Sequence, residues 1–270
     1  MIRLIASDLD ETLLNTDTHV DAYTIEQIQK VQEKGAYFVC ATGRNYVSIQ
    51  KTLKEIGTYQ KEDTYTLSLN GSVVTENKDN KVLFCTSMPF EVVESLFHYG
   101  LQHEVCIHVY TIDQVYTWHL NQGERDFLEG RAQVIECEQE NISFLKEKPL
   151  IKILFENEDF EYLRNIESRL DEDVRKVVDI SYSSNRYLEF NQLGINKGEG
   201  LRFLSQYLQI PLEETMAIGD NFNDKSMLQV AGLGVGVKNL HPDLTSYVDV
   251  VLDYTHNEDA VGHALEKYVL

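Results

Sequence analysis

The sequence predicts an α/β fold, a doubly wound parallel sheet interrupted by an inserted α+β unit. Three observations carry this. A short apolar run, Ile2 to Ser7, heads the chain and stops at Asp8-Leu9-Asp10. Strand, helix, strand, helix, strand then follow through Leu69, and the same rhythm resumes after Gly198. Between these stretches the segments read as antiparallel pairs. The expected limits are 1–83 and 187–270 for the core and 84–186 for the insert.

Taken in order, the opening run of Ile and Leu closed by polar residues reads as a buried parallel strand. Residues 21–34 carry Ile25, Ile28 and Val31 at helical spacing, with Gly35 as a stop. Ala36–Ala41 is the next strand, ending in Thr42-Gly43-Arg44. A helix over roughly 46–56 follows, with Val47, Leu53 and Ile56 inward. Residues 64–69 form a third strand before Asn70-Gly71. Ser72–Glu76 and Lys81–Cys85 flank Asn77-Lys78-Asp79-Asn80 as a hairpin.

In the insert, Glu91–His103 and Asp159–Leu170 read as helices. His108–Tyr110, Val115–His119, Leu150–Phe155 and Val174–Ser181 read as strands, and Tyr187–Phe190, next to the expected limit, reads as another. Gly198–Leu208 is then helical, with Leu201, Leu204 and Leu208 on one face. Thr215–Ile218, Leu233–Val237 and Asp249–Leu252 are strands, and a closing helix starts near Glu258.

Composition narrows the classes. Acids outnumber bases 44 to 24, a net charge of −20, which argues against binding to nucleic-acid phosphates. The four cysteines, Cys40, Cys85, Cys106 and Cys137, form no Cys-x-x-Cys pair, so core thiols in a reducing compartment are expected. No apolar run approaches ~18 residues and no signal-type segment heads the chain. A cytoplasmic location without membrane, nucleic-acid or obligatory protein partners is the resulting expectation.

The polar residues that end the strands carry the chemistry. Side chains alternate along a strand, so Asp8 and Asp10 are expected on one side. Two close carboxylates at the end of a buried strand call for a cation, and Mg²⁺ is a hard ion that takes oxygen ligands. Thr42-Gly43-Arg44 offers a hydroxyl, an approachable glycine amide and a guanidinium, a set that suits an anion. Lys197 opens a helix, where its charge opposes the helix dipole unless an anion is shared with the helix N-terminus. Gly219-Asp220-Asn221-Phe222-Asn223-Asp224 places three acidic or amide side chains behind a strand beyond what capping needs. Taken singly, Asp-x-Asp reads as an acidic turn, Thr-Gly as a common turn and Lys197 as a solvated lysine, and acids at a helix start are common as caps. In ligand-binding parallel sheets such residues meet at the carboxyl ends of the strands.

In this order the motifs resemble those of the haloacid dehalogenase (HAD) superfamily of phosphohydrolases. Asp8-Leu9-Asp10-Glu11-Thr12-Leu13 is similar to the first motif and Thr42 to the second. Lys197 is similar to the third, and Gly219–Asp224 to the fourth. The long insert resembles the α/β cap of the Cof-type subfamily, and Asn70-Gly71 fits that subfamily. Phe222 and Val237-Lys238-Asn239-Leu240 depart from its usual forms. The resemblance implies a Rossmann-like core and Mg²⁺-dependent removal of phosphate from small phosphorylated metabolites, sugar phosphates or related compounds. It implies Asp8 as the nucleophile that forms an aspartyl-phosphate and Asp10 as the acid and base. Mg²⁺ would be held by Asp8, the backbone carbonyl of Asp10 and Asp220, supported by Asp224. Substrate contacts would come from Thr42, Gly43, Arg44, Asn70, Lys197 and Asn223. A phosphomutase of the same superfamily would use the same residues. A receiver-type signalling domain shares the Asp, Thr and Lys set but is about half this length.

Overall fold

The computed structural model describes all 270 residues. They form two compact units, Met1–Cys85 with Asn196–Leu270, and Thr86–Ile195. The first unit opens with β1 (Leu4–Ser7), α1 (Ala22–Glu33), β2 (Tyr37–Ala41), α2 (Gln50–Glu55), β3 (Tyr65–Ser68), β4 (Val73–Glu76) and β5 (Lys81–Cys85). The second holds α3 (Phe90–Gly100), β6 (Cys106–Thr111), β7 (Val115–Trp118), α4 (Gln122–Leu128), β8 (Ile135–Glu136) and β9 (Leu150–Glu156). It continues through α5 (Phe160–Ser168), α6 (Glu172–Arg175), β10 (Val178–Ser183) and β11 (Tyr187–Gln192). The chain then returns with α7 (Lys197–Tyr207), β12 (Thr215–Gly219), α8 (Lys225–Val230), β13 (Leu233–Gly236), β14 (Val250–Val251) and α9 (Ala260–Tyr268).

The first sheet runs β14-β13-β12-β1-β2-β3-β4-β5, parallel as far as β3, with β4 and β5 as an antiparallel edge. Its central strands β1, β2 and β12 read as continuous apolar runs because both faces are covered. Ile5 joins a core with Ile28 and Val31 of α1 and Ala264 and Leu265 of α9. Leu4 and Ala6 point the other way, to Leu201 and Leu204 of α7 and Met227 and Leu228 of α8. Each fully buried Leu or Ile contributes about 1.5–3 kcal/mol, so the central strand is firmly anchored.

The second sheet, β10-β11-β9-β6-β7-β8, is antiparallel apart from the β7–β8 pair. The observed limits of the insert differ from 84–186. Residue 84 lies within β5, which pairs with β4 in the first sheet. Tyr187–Gln192 pairs with β9 and β10, so it belongs to the second sheet, and the first unit resumes at Asn196. Two local expectations also change. Residues 46–49 form turns ahead of α2, which leaves Val47 exposed. The strand expected from Val174 starts at Val178, after the short α6. No helix is long and apolar enough to cross a membrane.

Candidate active site

The loops that follow β1, β2, β3 and β12 and the start of α7 gather the polar residues of the first unit. Asp8 lies one residue past β1, and its N–H donates to the Ile218 carbonyl at 2.9 Å. Beyond it the chain leaves the extended form. Leu9–Leu13 winds into a wide helical turn in which Glu11 adopts φ +59°. The strand alternation expected for Asp8 and Asp10 therefore ends at Ser7. Asp8 is buried, whereas the Asp10 side chain is about half exposed and bound by Arg44. Arg44 Nε donates to Asp10 Oδ2 at 2.9 Å, and Arg44 Nη2 donates to Oδ1.

Asp8, Asp220 and Asp224 are buried together, with one carboxylate oxygen from each within 4.8 Å of the others. Lys197, fully buried at the first position of α7, donates to Asp8 and, at 2.6 Å, to Asp224 Oδ1. The other oxygen of Asp224 accepts the backbone N–H groups of Asp220 and Asn221 at 3.0 and 3.1 Å. This closeness needs a glycine at 219, where a Cβ would come within 2.6 Å of Asp224 Cβ. Thr12 Oγ1 donates to Asp220 Oδ1 at 2.8 Å.

The flanking loops are tied to this centre. Thr42 Oγ1 accepts the Arg44 backbone N–H at 3.0 Å, and the Thr42 carbonyl accepts the Asn70 N–H at 3.0 Å. A Cβ on Gly43 would sit 3.2 Å from Asn70 Oδ1, which also accepts from Asn223 Nδ2 at 3.4 Å. Asn70 takes φ +54°. Gly71 and Gly200 let this turn press on the first turn of α7, since a Cβ on Gly200 would lie 2.9 Å from Gly71 Cα. The position of Lys197 thus depends on backbone packing on its own helix.

Electrostatics set this cluster apart. Burial raises the Asp8 carboxyl to about 8, with the Asp224 charge adding and Lys197 opposing. Burial raises Asp220 to about 9, with Asp8 and Asp224 adding, while Thr12 and Lys197 oppose. Burial works against the Lys197 ammonium, but Asp224 and Asp8 outweigh it and hold its pKa above the ordinary value. Fully ionised, three carboxylates and one ammonium sum to −3 + 1 = −2. Such a buried imbalance is costly without a cation. An all-oxygen donor set short by two positive charges fits a hard divalent ion.

The structure thus brings Asp8, Asp220, Asp224 and Lys197 into direct proximity, and links Thr42, Gly43, Arg44, Asn70 and Asn223 around them. The Asp10 side chain stands outside the carboxylate cluster. Thr12, Gly219, Gly200 and Asn239 also shape the site without a signal of their own in the sequence, and Asn239 Nδ2 donates to the Glu11 carbonyl at 2.8 Å. Thr12 lies inside a recognised motif, but its partner is 208 positions away. In the second unit, Trp118 is a core residue, with Nε1 donating to the Gln139 carbonyl at 2.8 Å, and Arg131 lies over the Phe127 ring.

A family model for haloacid dehalogenase-like hydrolases matches residues 5–265, and the chain belongs to that family of hydrolases. It is 29% identical over 273 residues to the HMP-PP phosphatase of Serratia proteamaculans, covering 100% of this chain and 96% of that one. It is also 29% identical over 274 residues to the 5-amino-6-(5-phospho-D-ribitylamino)uracil phosphatase YcsE of Bacillus subtilis, with the same coverage. A haloacid dehalogenase-like hydrolase from Bacteroides thetaiotaomicron superposes with a TM-score of 0.86 at 26% identity, covering 99% of each chain. The fold and family read from the four motifs hold.

Proposed function

We propose that the protein is a Mg²⁺-dependent phosphohydrolase that removes phosphate from small phosphorylated metabolites, sugar phosphates or related compounds. The observation that carries this reading is the buried cluster of Asp8, Asp220 and Asp224 with Lys197, two positive charges short, at the end of the central strand. The phosphatase names of the two full-length relatives support it.

Asp8, Asp220 and the Asp10 backbone carbonyl would hold the metal, supported by Asp224. Bound there, Mg²⁺ supplies positive charge that lets an anionic carboxylate meet an anionic phosphate. In the first step an Asp8 carboxylate oxygen attacks phosphorus and the bond to the leaving oxygen breaks. Asp10 gives that oxygen its proton, so an alcohol departs and a phosphoryl group remains on Asp8. In the second step water attacks the same phosphorus, its proton passes to Asp10, and inorganic phosphate leaves with Asp8 restored. Lys197 and Thr42 would hold phosphoryl oxygens as charge redistributes, and the Gly43 amide, Arg44, Asn70 and Asn223 would complete the cradle. Lys197 also favours the ionised form of Asp8, the form that attacks.

Removing divalent metal with EDTA should abolish phosphate release from sugar phosphates, and Mg²⁺ should restore it. Full activity in metal-free buffer would sink the reading.

A further inference from the structure

Asp10 needs a free oxygen to serve a leaving group, yet both of its oxygens are engaged. Two guanidinium donors of Arg44 fork onto the two oxygens, one of them at 2.9 Å. The backbones on both sides are pinned. The Arg44 N–H donates to Thr42 Oγ1, and its carbonyl accepts the Leu69 N–H at 3.0 Å. The turn that carries Asp10 is held by Asn239 on the Glu11 carbonyl and by the Leu14 N–H on the Leu9 carbonyl at 2.8 Å. Only the two side chains remain to move. They are also the accessible pair of the site, with 23% of Arg44 and 51% of Asp10 exposed, in contrast to the buried Lys197 contacts.

We propose that Arg44 is an exchangeable clamp, resting on Asp10 in the empty site and transferring to the phosphoryl group of the substrate, so that Asp10 is freed only when an anion fills the site. This rests on the phosphatase reading. A phosphate dianion offers the guanidinium the same two-toothed geometry with more charge than a carboxylate. Solvent screens the resting pair, so the cost of releasing it is small. An exposed bidentate pair of this kind reduces affinity for the incoming anion about 5-fold, which is ~1 kcal/mol. Arg44 thereby positions Asp10 and couples its release to occupancy.

A double-mutant cycle read by calorimetry separates exchange from a fixed clamp. Inorganic phosphate is titrated into the Mg²⁺-loaded wild type, Asp10→Asn, Arg44→Met and the double variant. Methionine keeps the packing of the arginine stem, and melting temperatures report folding. Under exchange, Asp10→Asn tightens phosphate binding about 5-fold more when Arg44 is present than in the Arg44→Met background. Under a fixed clamp the order reverses, because Arg44 already neutralises Asp10 in the wild type and only Arg44→Met exposes its repulsion to phosphate. Equal gains in the two backgrounds, or a larger gain without Arg44, overturn the exchange while leaving the phosphatase reading intact. Absence of phosphate binding to the wild type at millimolar concentration overturns both.

Discussion

In the first unit three buried carboxylates share one ammonium. In the second, three buried carboxylates meet two cations and neutral hydrogen-bond donors. Lys152 and Glu189 meet at 2.8 Å with both side chains almost fully enclosed, and Lys152 lies over the Tyr110 ring. Arg186 bridges Glu124 and Glu156 at 3.2 and 2.9 Å, while the Tyr187 hydroxyl donates to Glu124 and Asn121 donates to Glu156. The remaining imbalance there is relieved by a proton, because burial, with Glu156 adding, raises the Glu124 carboxyl to about 7. His108 stays neutral beside it, lowered to about 3 by burial and then by Lys152 and Arg186. Both clusters are buried and ionic, so burial of charge alone marks neither as functional. What distinguishes the first is that two of its three carboxyls, Asp8 and Asp220, are raised to about 8 and about 9, so they hold protons that a cation can displace.

The largest contrast should come from removing one charge from each cluster. Asp8→Asn removes the nucleophile, and turnover of any phosphate ester should fall by roughly 10⁴-fold or more. The same change removes one of three crowded negative charges, so the melting temperature in EDTA should hold or rise. Retained turnover, or a loss of several degrees in EDTA, would break the contrast.

Next in size is Glu189→Gln, which leaves the Lys152 ammonium buried without a carboxylate. Urea unfolding should report a loss of ~3–5 kcal/mol, and an apolar Lys152→Met/Glu189→Leu double variant should recover most of it. A single-variant loss below ~1 kcal/mol would mean that the pair behaves as a solvent-screened one rather than a buried one.

A smaller effect tests the charge deficit through pH. The carboxyls of Asp8 and Asp220 are raised in the fold from an ordinary 3.8 to about 8 and about 9. Acids shifted upward contribute stability that is complete below about pH 4 and is lost as pH rises through the folded values. The metal-free protein should therefore weaken from about pH 4 towards pH 9. Mg²⁺ binds the deprotonated carboxylates, so its stabilisation should grow over the same window. The Mg²⁺-induced rise in melting temperature should be several degrees larger at pH 8.5 than at pH 6, at ~2–4 °C per kcal/mol for a chain of this size. A shift that is flat with pH would contradict the deficit.

How much of this was legible in the sequence follows from where each signal resides. β1, β2 and β12 are buried on both faces and read as unbroken apolar runs, so the parallel core and the polar residues at its strand ends were visible. Val47 fits helical spacing but lies in a turn, because spacing does not say where a helix begins. Tyr187–Phe190 read as a strand, but its membership in the second sheet is decided by pairing with β9 and β10, which no local pattern encodes. The Asp10–Arg44 pair and the Thr12–Asp220 bond join distant segments and needed coordinates.

A covalent bond from phosphorus to Asp8 is the central chemical event of the proposed reaction. The Asp10→Asn enzyme, mixed with p-nitrophenyl phosphate and Mg²⁺, should form the acyl phosphate with little help from an acid, because this leaving group needs none. It should then stall, since water activation loses ~10²–10⁴-fold. Rapid quench, intact mass and peptide mapping should place one phosphoryl group on Asp8. A phosphoryl group on any other residue, or turnover of the ester with no adduct in a variant slowed at the second step, would contradict it.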